Sequence, residues 1–315
     1  RGTWSSRVSF IGNWSYPLCS LIAMGLTPLI SAEWNWRVQL LIPAILSLIA
    51  TALAWRYFPE SPRWLESRGR YQEAEKVMRS IEEGVIRQTG KPLPPVVIAD
   101  DGKAPQAVPY SALLTGVLLK RVILGSCVLI AMNVVQYTLI NWLPTIFMTQ
   151  GINLKDSIVL NTMSMFGAPF GIFIAMLVMD KIPRKTMGVG LLILIAVLGY
   201  IYSLQTSMLL ITLIGFFLIT FVYMYVCYAS AVYVPEIWPT EAKLRGSGLA
   251  NAVGRISGIA APYAVAVLLS SYGVTGVFIL LGAVSIIVAI AIATIGIETK
   301  GVSVESLSID AVANK

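Results

Sequence analysis

The sequence predicts an all-α, polytopic membrane helical bundle. Three observations carry that reading. Hydrophobic residues make up 57% of the 315 residues and charged residues only 12%, about half the charged share of an ordinary soluble domain. The apolar residues gather into eight runs, at 8–30, 38–55, 122–148, 158–179, 187–204, 208–234, 246–269 and 276–297. Each is long enough to cross a ~30 Å hydrocarbon core as a helix. Seven runs contain no Asp, Glu, Lys or Arg, and the eighth contains only Arg255. Finally, of 23 Lys and Arg, 20 fall before, between or after these runs on one side, and only Arg37 and Lys155 on the other. That asymmetry is the positive-inside bias and puts both ends of the chain in the cytoplasm.

The same distribution disposes of other function classes. A net charge of +7 would suit a nucleic-acid partner if it formed one patch; here it tracks the membrane. The three cysteines, Cys19, Cys127 and Cys227, all fall inside apolar runs, as small buried apolar residues do. They form no CxxC pair and no disulfide framework. The chain has no histidine, so a histidine metal site or proton relay is excluded. No phosphate-binding loop and no nucleophile–base pair is present, and neither cofactor nor enzymatic activity is expected.

In chain order, 8–30 and 38–55 form a short-looped hairpin, with Glu33 and Arg37 in the outer turn and Trp34 and Trp36 at interface depth. The stretch 71–88 carries Ala74, Val77, Met78 and Ile81 three to four residues apart, which predicts a surface helix with one apolar stripe. Residues 91–109 contain five prolines and read as a linker. In 122–148, Asn133, Gln136, Tyr137 and Asn141 share a face. In 158–179, Asn161 and Ser164 precede Gly167-Ala-Pro-Phe-Gly171, which predicts a kink and a close helix approach. The run 208–234 holds Tyr223 among seven aromatic residues.

The run 246–269 organises the rest. Gly246, Ala250, Gly254 and Gly258 recur every four residues and predict a face for close helix packing. Arg255 lies nine residues into the run, about 13.5 Å deep at 1.5 Å per residue, near the membrane midplane. An arginine there costs at least ~2.5 kcal/mol to insert and faces a bundle interior or a wet cavity. We therefore expect Arg255 to face a central cavity with polar groups of Asn133, Gln136, Tyr137, Asn161 and Tyr223. A guanidinium there suits a carboxylate, which it binds bidentately.

An internal repeat sets the architecture. Arg1-Gly2 opens the first run and Arg245-Gly246 the seventh; Glu60-Ser-Pro-Arg follows the second and Glu298-Thr-Lys-Gly the eighth. The first two runs then correspond to the last two of a six-helix unit that is complete in 121–298. By that analogy, four further helices are expected before Arg1, giving two parallel six-helix halves. The expected divisions are 1–56 as the last two helices of the first half, 57–120 as a cytoplasmic central loop, 121–298 as the second half, and 299–315 as a cytoplasmic tail.

Four motifs make a resemblance specific. Pro59-Glu-Ser-Pro-Arg63, Asp180-Lys-Ile-Pro-Arg-Lys185, Pro235-Glu-Ile-Trp-Pro-Thr followed by Leu244-Arg-Gly246, and Glu298-Thr-Lys-Gly301 resemble the loop motifs of major facilitator superfamily transporters. The third motif in the family usually ends the helix ten–eleven loop, and the second usually has Gly where Pro183 stands here. The chain thus resembles the last eight of twelve transmembrane helices of that family. Two departures separate it from the sugar porters: 128–133 reads Val-Leu-Ile-Ala-Met-Asn where they carry a Gln pair, and Gly254-Arg255 stands where they carry Asn-Trp. The likeness is to bacterial inner-membrane metabolite:proton symporters, many of them carrying organic anions.

The resemblance implies secondary active transport of a small organic metabolite, an organic acid, by alternating access with proton coupling. A sugar or polyol porter is the alternative. A sensor on the same scaffold would need a soluble signalling domain, and 58–120 carries no second hydrophobic core. The resemblance also implies that Arg1, Glu60, Arg63, Arg184, Glu236, Glu241, Arg245 and Glu298 gather at the cytoplasmic mouth and hold it closed, with Arg184–Glu236 and Arg245–Glu298 the expected pairs. Coupling needs a titratable acid in the path. None lies in the eight runs, so that acid is expected on a preceding helix.

Overall fold

The computed structural model describes residues 2–90, 92, 109–239 and 242–300. Among these residues every regular element is helical: α1 Gly2–Asn13, α2 Ser15–Leu26, α3 Ala32–Tyr57, α4 Pro62–Ser67, α5 Tyr71–Thr89, α6 Tyr110–Leu113, α7 Gly116–Thr149, α8 Leu154–Met165, α9 Gly167–Val178, α10 Arg184–Ser203, α11 Met208–Val226, a π-helical stretch Cys227–Tyr233, α12 Val234–Glu236 and α13 Lys243–Ile295. Six helical stretches are long and apolar enough to cross a membrane: Glu33–Tyr57, Gly116–Thr149, Leu154–Val178, Arg184–Ser203, Met208–Glu236 and Lys243–Ile295. Arg1, Glu241, most of the expected linker and the tail from 301 lie outside the described residues.

All eight expected runs fall on helix, but they divide differently. The expected run 8–30 is broken into α1 and α2 at Trp14. Pro17 explains the break, because it offers no N–H to the carbonyl of Asn13 four residues earlier. The same geometry splits α8 from α9 at Phe166, where Pro169 leaves the carbonyl of Met165 without its helical donor. The runs 246–269 and 276–297 share one 53-residue helix, α13, interrupted only at Gly273 with φ 65° and ψ −161°. An L-residue rarely adopts that conformation, so glycine is what permits the reversal there.

The structure falls into two compact units, one within Ile30–Ala104 and one within Arg1–Leu29 and Pro105–Lys315. In the first, α3 spans 26 residues, about 39 Å of helix. Arg37 lies over the rings of Trp36 and Trp34, at 4.6 and 5.3 Å, a cation–π anchor at the helix start. Helices α4 and α5 pack on each other, burying Leu65 and Ala74. Of the expected α5 stripe, Val77 is half-buried and Met78 and Ile81 are exposed. Gly90, at φ 64°, ends α5 in a left-handed cap.

In the second unit α7 is the central post. It packs along α13, and α8 and α11 also lie against it. Its inward residues Leu124, Val128, Leu129, Ala131, Val135 and Leu139 are at most 2% exposed. Glycines set the close approaches. A Cβ on Gly167 or Gly171 of α9 would run into the backbone of α11 at Phe216 and Thr220, so the expected packing and kinking site at 167–171 is one. The expected small-residue face of α13 also packs as such. A Cβ on Gly254 would stand 2.8 Å from Leu129 Cβ and 2.9 Å from Asn133 Nδ2, and one on Gly258 would stand 3.1 Å from the Tyr137 ring. At the other end of this seam Gly246 leaves room for the Trp238 ring.

Candidate functional site

A charged cluster ties three segments together. The α9–α10 turn presents Arg184, which is 6% exposed. Its Nε and Nη2 donate to the two carboxylate oxygens of Glu236 at 3.1 and 3.3 Å. Nη2 also donates to Asp180 at 3.3 Å, and Nη1 to the carbonyl of Met179. Glu236 further accepts the Thr299 hydroxyl at 2.6 Å. Glu298 accepts the backbone N–H groups of Arg184 and Lys185 at 2.8 and 3.1 Å, and that of Lys300 at 3.1 Å. Lys300 reaches the Lys181 carbonyl at 2.7 Å. Partial burial raises the Glu298 carboxyl, but the three amide donors outweigh it and hold the group below its ordinary value.

The expected Arg184–Glu236 pair is therefore present. The expected Arg245–Glu298 pair is not among the ion pairs of the described residues. Glu298 is taken up by the amides that open α10, and the Arg245 guanidinium lies 5.2 Å from the ring of Tyr110. Glu60, which is exposed, and Arg63 belong to the unit Ile30–Ala104.

The π-helical stretch lies directly behind the cluster. Pro235 follows it and cannot donate to the carbonyl four residues earlier, where a regular turn would need that bond. The ring of Tyr228 stacks on Tyr233 at 5.0 Å and lies 5.7 Å from Tyr225. Tyr233 exchanges hydrogen bonds with Ile297, and Tyr225 donates to the Val128 carbonyl of α7. A column of buried tyrosines thus runs from the charged cluster to the centre of α7.

The second group of expected site residues lies along α7. Arg255 is exposed and donates from Nη1 to the hydroxyl of Tyr137, which is half-buried. Among the described residues no carboxylate pairs with it. Asn133 is buried and turns its amide back to the Leu129 carbonyl at 2.7 Å. That bond leaves the Asn133 amide nitrogen facing the Gly254 backbone in the seam. Gln136 is half-buried. Tyr223 is 1% exposed, and its hydroxyl has no hydrogen-bond partner among the described residues. The Asn161 amide oxygen is likewise buried and unpartnered.

Sequence reasoning missed Tyr16, whose ring meets Tyr223 edge-on at 5.1 Å. It also missed Trp238, 1% exposed, which wedges between Gly246 and Gly125. The glycine pair was a signal for such a wedge; nothing local pointed to Tyr16. An aromatic cavity of about 460 Å³ opens at the α8–α9 break, lined by Phe10, Trp14, Phe166, Pro169, Phe170, Phe173 and Phe216. None of the expected site residues lines it. No group of three His, Cys, Asp or Glu side chains suited to a metal ion occurs among the described residues.

This arrangement has known counterparts. The family model of the Major Facilitator Superfamily matches residues 5–262. The chain is 44% identical over 310 residues to the inner membrane metabolite transport protein YdjE of Escherichia coli, covering 98% of this chain and 68% of that protein. It is 25% identical over 290 residues to the niacin transporter NiaP of Acinetobacter baylyi, covering 92% and 65%. Among solved structures, the proton:xylose symporter XylE of E. coli superposes with a TM-score of 0.62 at 22% identity, over 98% of this chain and 66% of that one. The chain spans about two thirds of the length of these relatives. On the family match and the relationship to YdjE, the chain belongs to the Major Facilitator Superfamily, a family of multi-pass membrane transporters rather than enzymes.

Proposed function

We propose that this protein carries a small organic acid across the bacterial inner membrane by alternating access, coupled to protons. One observation carries the substrate class: Arg255, deep in an apolar segment, is held only by the neutral hydroxyl of Tyr137 among the described residues. A guanidinium in low dielectric with no anion beside it attracts one strongly. Niacin, named for one relative, is itself a monocarboxylic acid, and proton coupling is named for XylE.

In this reading the chain is the last eight of twelve helices, with 1–56 closing the first half, 57–120 linking the halves, 121–298 forming the second half and 299–315 the tail. Both ends lie in the cytoplasm. Arg255, Asn133, Gln136, Tyr137, Asn161 and Tyr223 serve the substrate. Glu60, Arg63, Arg184, Glu236, Glu241, Arg245 and Glu298 serve the cytoplasmic gate. Substrate binding at the interface of the halves and opening of the charged mouth on one side then alternate. Uptake of labelled organic acids and labelled sugars by cells expressing the protein is the test. Accumulation of an acid that collapses with the proton gradient is the expected result. Accumulation of sugars instead supports the sugar or polyol reading and overturns this one.

A further inference from the structure

Tyr223 presents an unusual state for a buried phenol. The residue is 1% exposed, and its hydroxyl is unpartnered among the described residues. A buried hydroxyl without a partner is costly, and buried polar groups in folded proteins are almost always satisfied. The groups around it are polar and uncharged. Tyr16 of α2 meets it edge-on, at 5.1 Å and 67° between ring planes. The side chains of Tyr16 and Gln136 both lie close enough to act on its hydroxyl. Both are half-buried, so the buried hydroxyl is reached past them. Three helices, α2, α7 and α11, converge on this spot.

Gln136 is followed directly by Tyr137, the hydroxyl that receives Arg255. Successive residues on a helix project about 100° apart. One turn of α7 therefore serves a cation on one side and a neutral polar pair of phenols on the other. Arg255 is the only charged residue in the eight apolar runs, so no second cation accompanies the phenols.

We propose that Tyr16, Tyr223 and Gln136 form a neutral pole of the substrate site, which selects a monocarboxylate bearing an uncharged hydrogen-bonding group and rejects dicarboxylates. The proposal rests on the reading of Arg255 as the carboxylate partner. A hydroxyl, carbonyl or ring nitrogen at the far end of the substrate satisfies the Tyr223 hydroxyl. A second ionised carboxylate there loses its water and finds only neutral donors, which do not offset the loss.

The test is binding of three acids that differ only at the para position, 4-hydroxybenzoate, benzoate and terephthalate, to the purified full chain. The wild type is expected to bind 4-hydroxybenzoate about three- to tenfold more tightly than benzoate, the range of one hydrogen bond, and terephthalate more weakly than either. Tyr223→Phe should bring the first ratio close to one while benzoate binding is kept. Tyr16→Phe, at a less buried position, should lower it as well and covers the case in which Tyr223→Phe does not fold. Arg255→Ala should weaken benzoate and 4-hydroxybenzoate equally. If both Phe variants leave the ratio unchanged, or terephthalate binds as well as 4-hydroxybenzoate, the neutral pole is wrong while the Arg255 reading stands. If Arg255→Ala leaves benzoate binding intact, the Arg255 reading is wrong. A wild type that binds none of the three overturns both.

Discussion

Glu298 caps α10 from more than a hundred residues away, accepting the backbone N–H of Arg184 at 2.8 Å. Pro183 stands at the N-cap position and makes no side-chain cap, so the first amides of α10 lack a local acceptor. The carboxylate also sits at the positive end of the helix dipole. The tail after α13 is thereby fastened to the start of α10. Because the folded state holds Glu298 below its ordinary value of 4.5, its stabilising contribution is complete above that pH. It is lost only as pH falls further, through the lowered folded-state value. Glu298→Gln should lower the Tm at pH 7, and the gap to wild type should narrow below about pH 4. Thermal unfolding of both proteins from pH 3 to 8 measures this. A gap independent of pH refutes the capping role of the charge.

The Arg184–Glu236 pair answers to a different substitution. Arg184 is nearly buried at 7% side-chain exposure, while Glu236 keeps 36%. Glu236→Ala leaves the guanidinium with Asp180 and the Met179 carbonyl only. The expected loss is about 1–3 kcal/mol, below that of a fully buried pair because water screens Glu236. Glu236→Gln keeps an acceptor for Arg184 and should lose less. If the pair serves the gate, Glu236→Gln also shifts the inward/outward balance, read by labelling single cysteines on either side of the membrane. An unchanged labelling pattern and unchanged uptake remove the gating role.

Two glycine substitutions of identical chemistry should act with opposite sign. In Gly171→Ala the new methyl runs into the Thr220 carbonyl, a backbone atom that cannot step aside. Overpacking of this kind costs about 1–3 kcal/mol. At Gly190, in the middle of α10, a Cβ meets nothing within 4 Å. Gly190→Ala should stabilise by about 0.4–1 kcal/mol through the unfolded chain. Unfolding of both variants in the same detergent decides it; similar Tm changes in the same direction contradict the packing described for α9 on α11.

What could be read in advance follows the range of the interaction. Gly167, Pro169 and Gly171 lie within five residues, and their kink and close approach were legible because both consequences are local. The repeat Gly246, Ala250, Gly254, Gly258 gave a packing face for the same reason. The Pro17 break was equally local and was overlooked. The partner of Glu298 was not legible, because backbone amides carry no mark in a sequence, whereas Arg245 looked complementary by charge alone. Nor could sequence tell that Tyr16 meets Tyr223, since that contact depends on how α2 leans on α8 and α11. The continuity of α13 through Gly273 turned on one residue's ψ, which the apolar pattern does not encode.

Arg255 offers the sharpest separation of structural from transport roles. It lies beside the α7–α13 seam, next to Gly254, yet its own side chain is exposed and bonded only to Tyr137 among the described residues. Removing it therefore leaves the buried contacts of Gly254 and Gly258 in place, and loss of a membrane charge eases insertion. Arg255→Ala should insert normally, keep a Tm close to wild type and bind organic acids about ten- to a hundredfold more weakly, the range for hydrogen bonds to a charged group. Arg255→Lys keeps the charge but not the planar fork, so about a tenfold loss is expected. Tyr137→Phe keeps the ring against Gly258 and removes the hydroxyl that positions the guanidinium, which should fall between wild type and Arg255→Lys. Substrate binding measured on the purified variants, with unfolding temperature alongside, orders them. An Arg255→Ala protein that binds acids normally defeats the substrate role, and one that loses its Tm while Arg255→Lys retains it assigns the arginine to the seam instead.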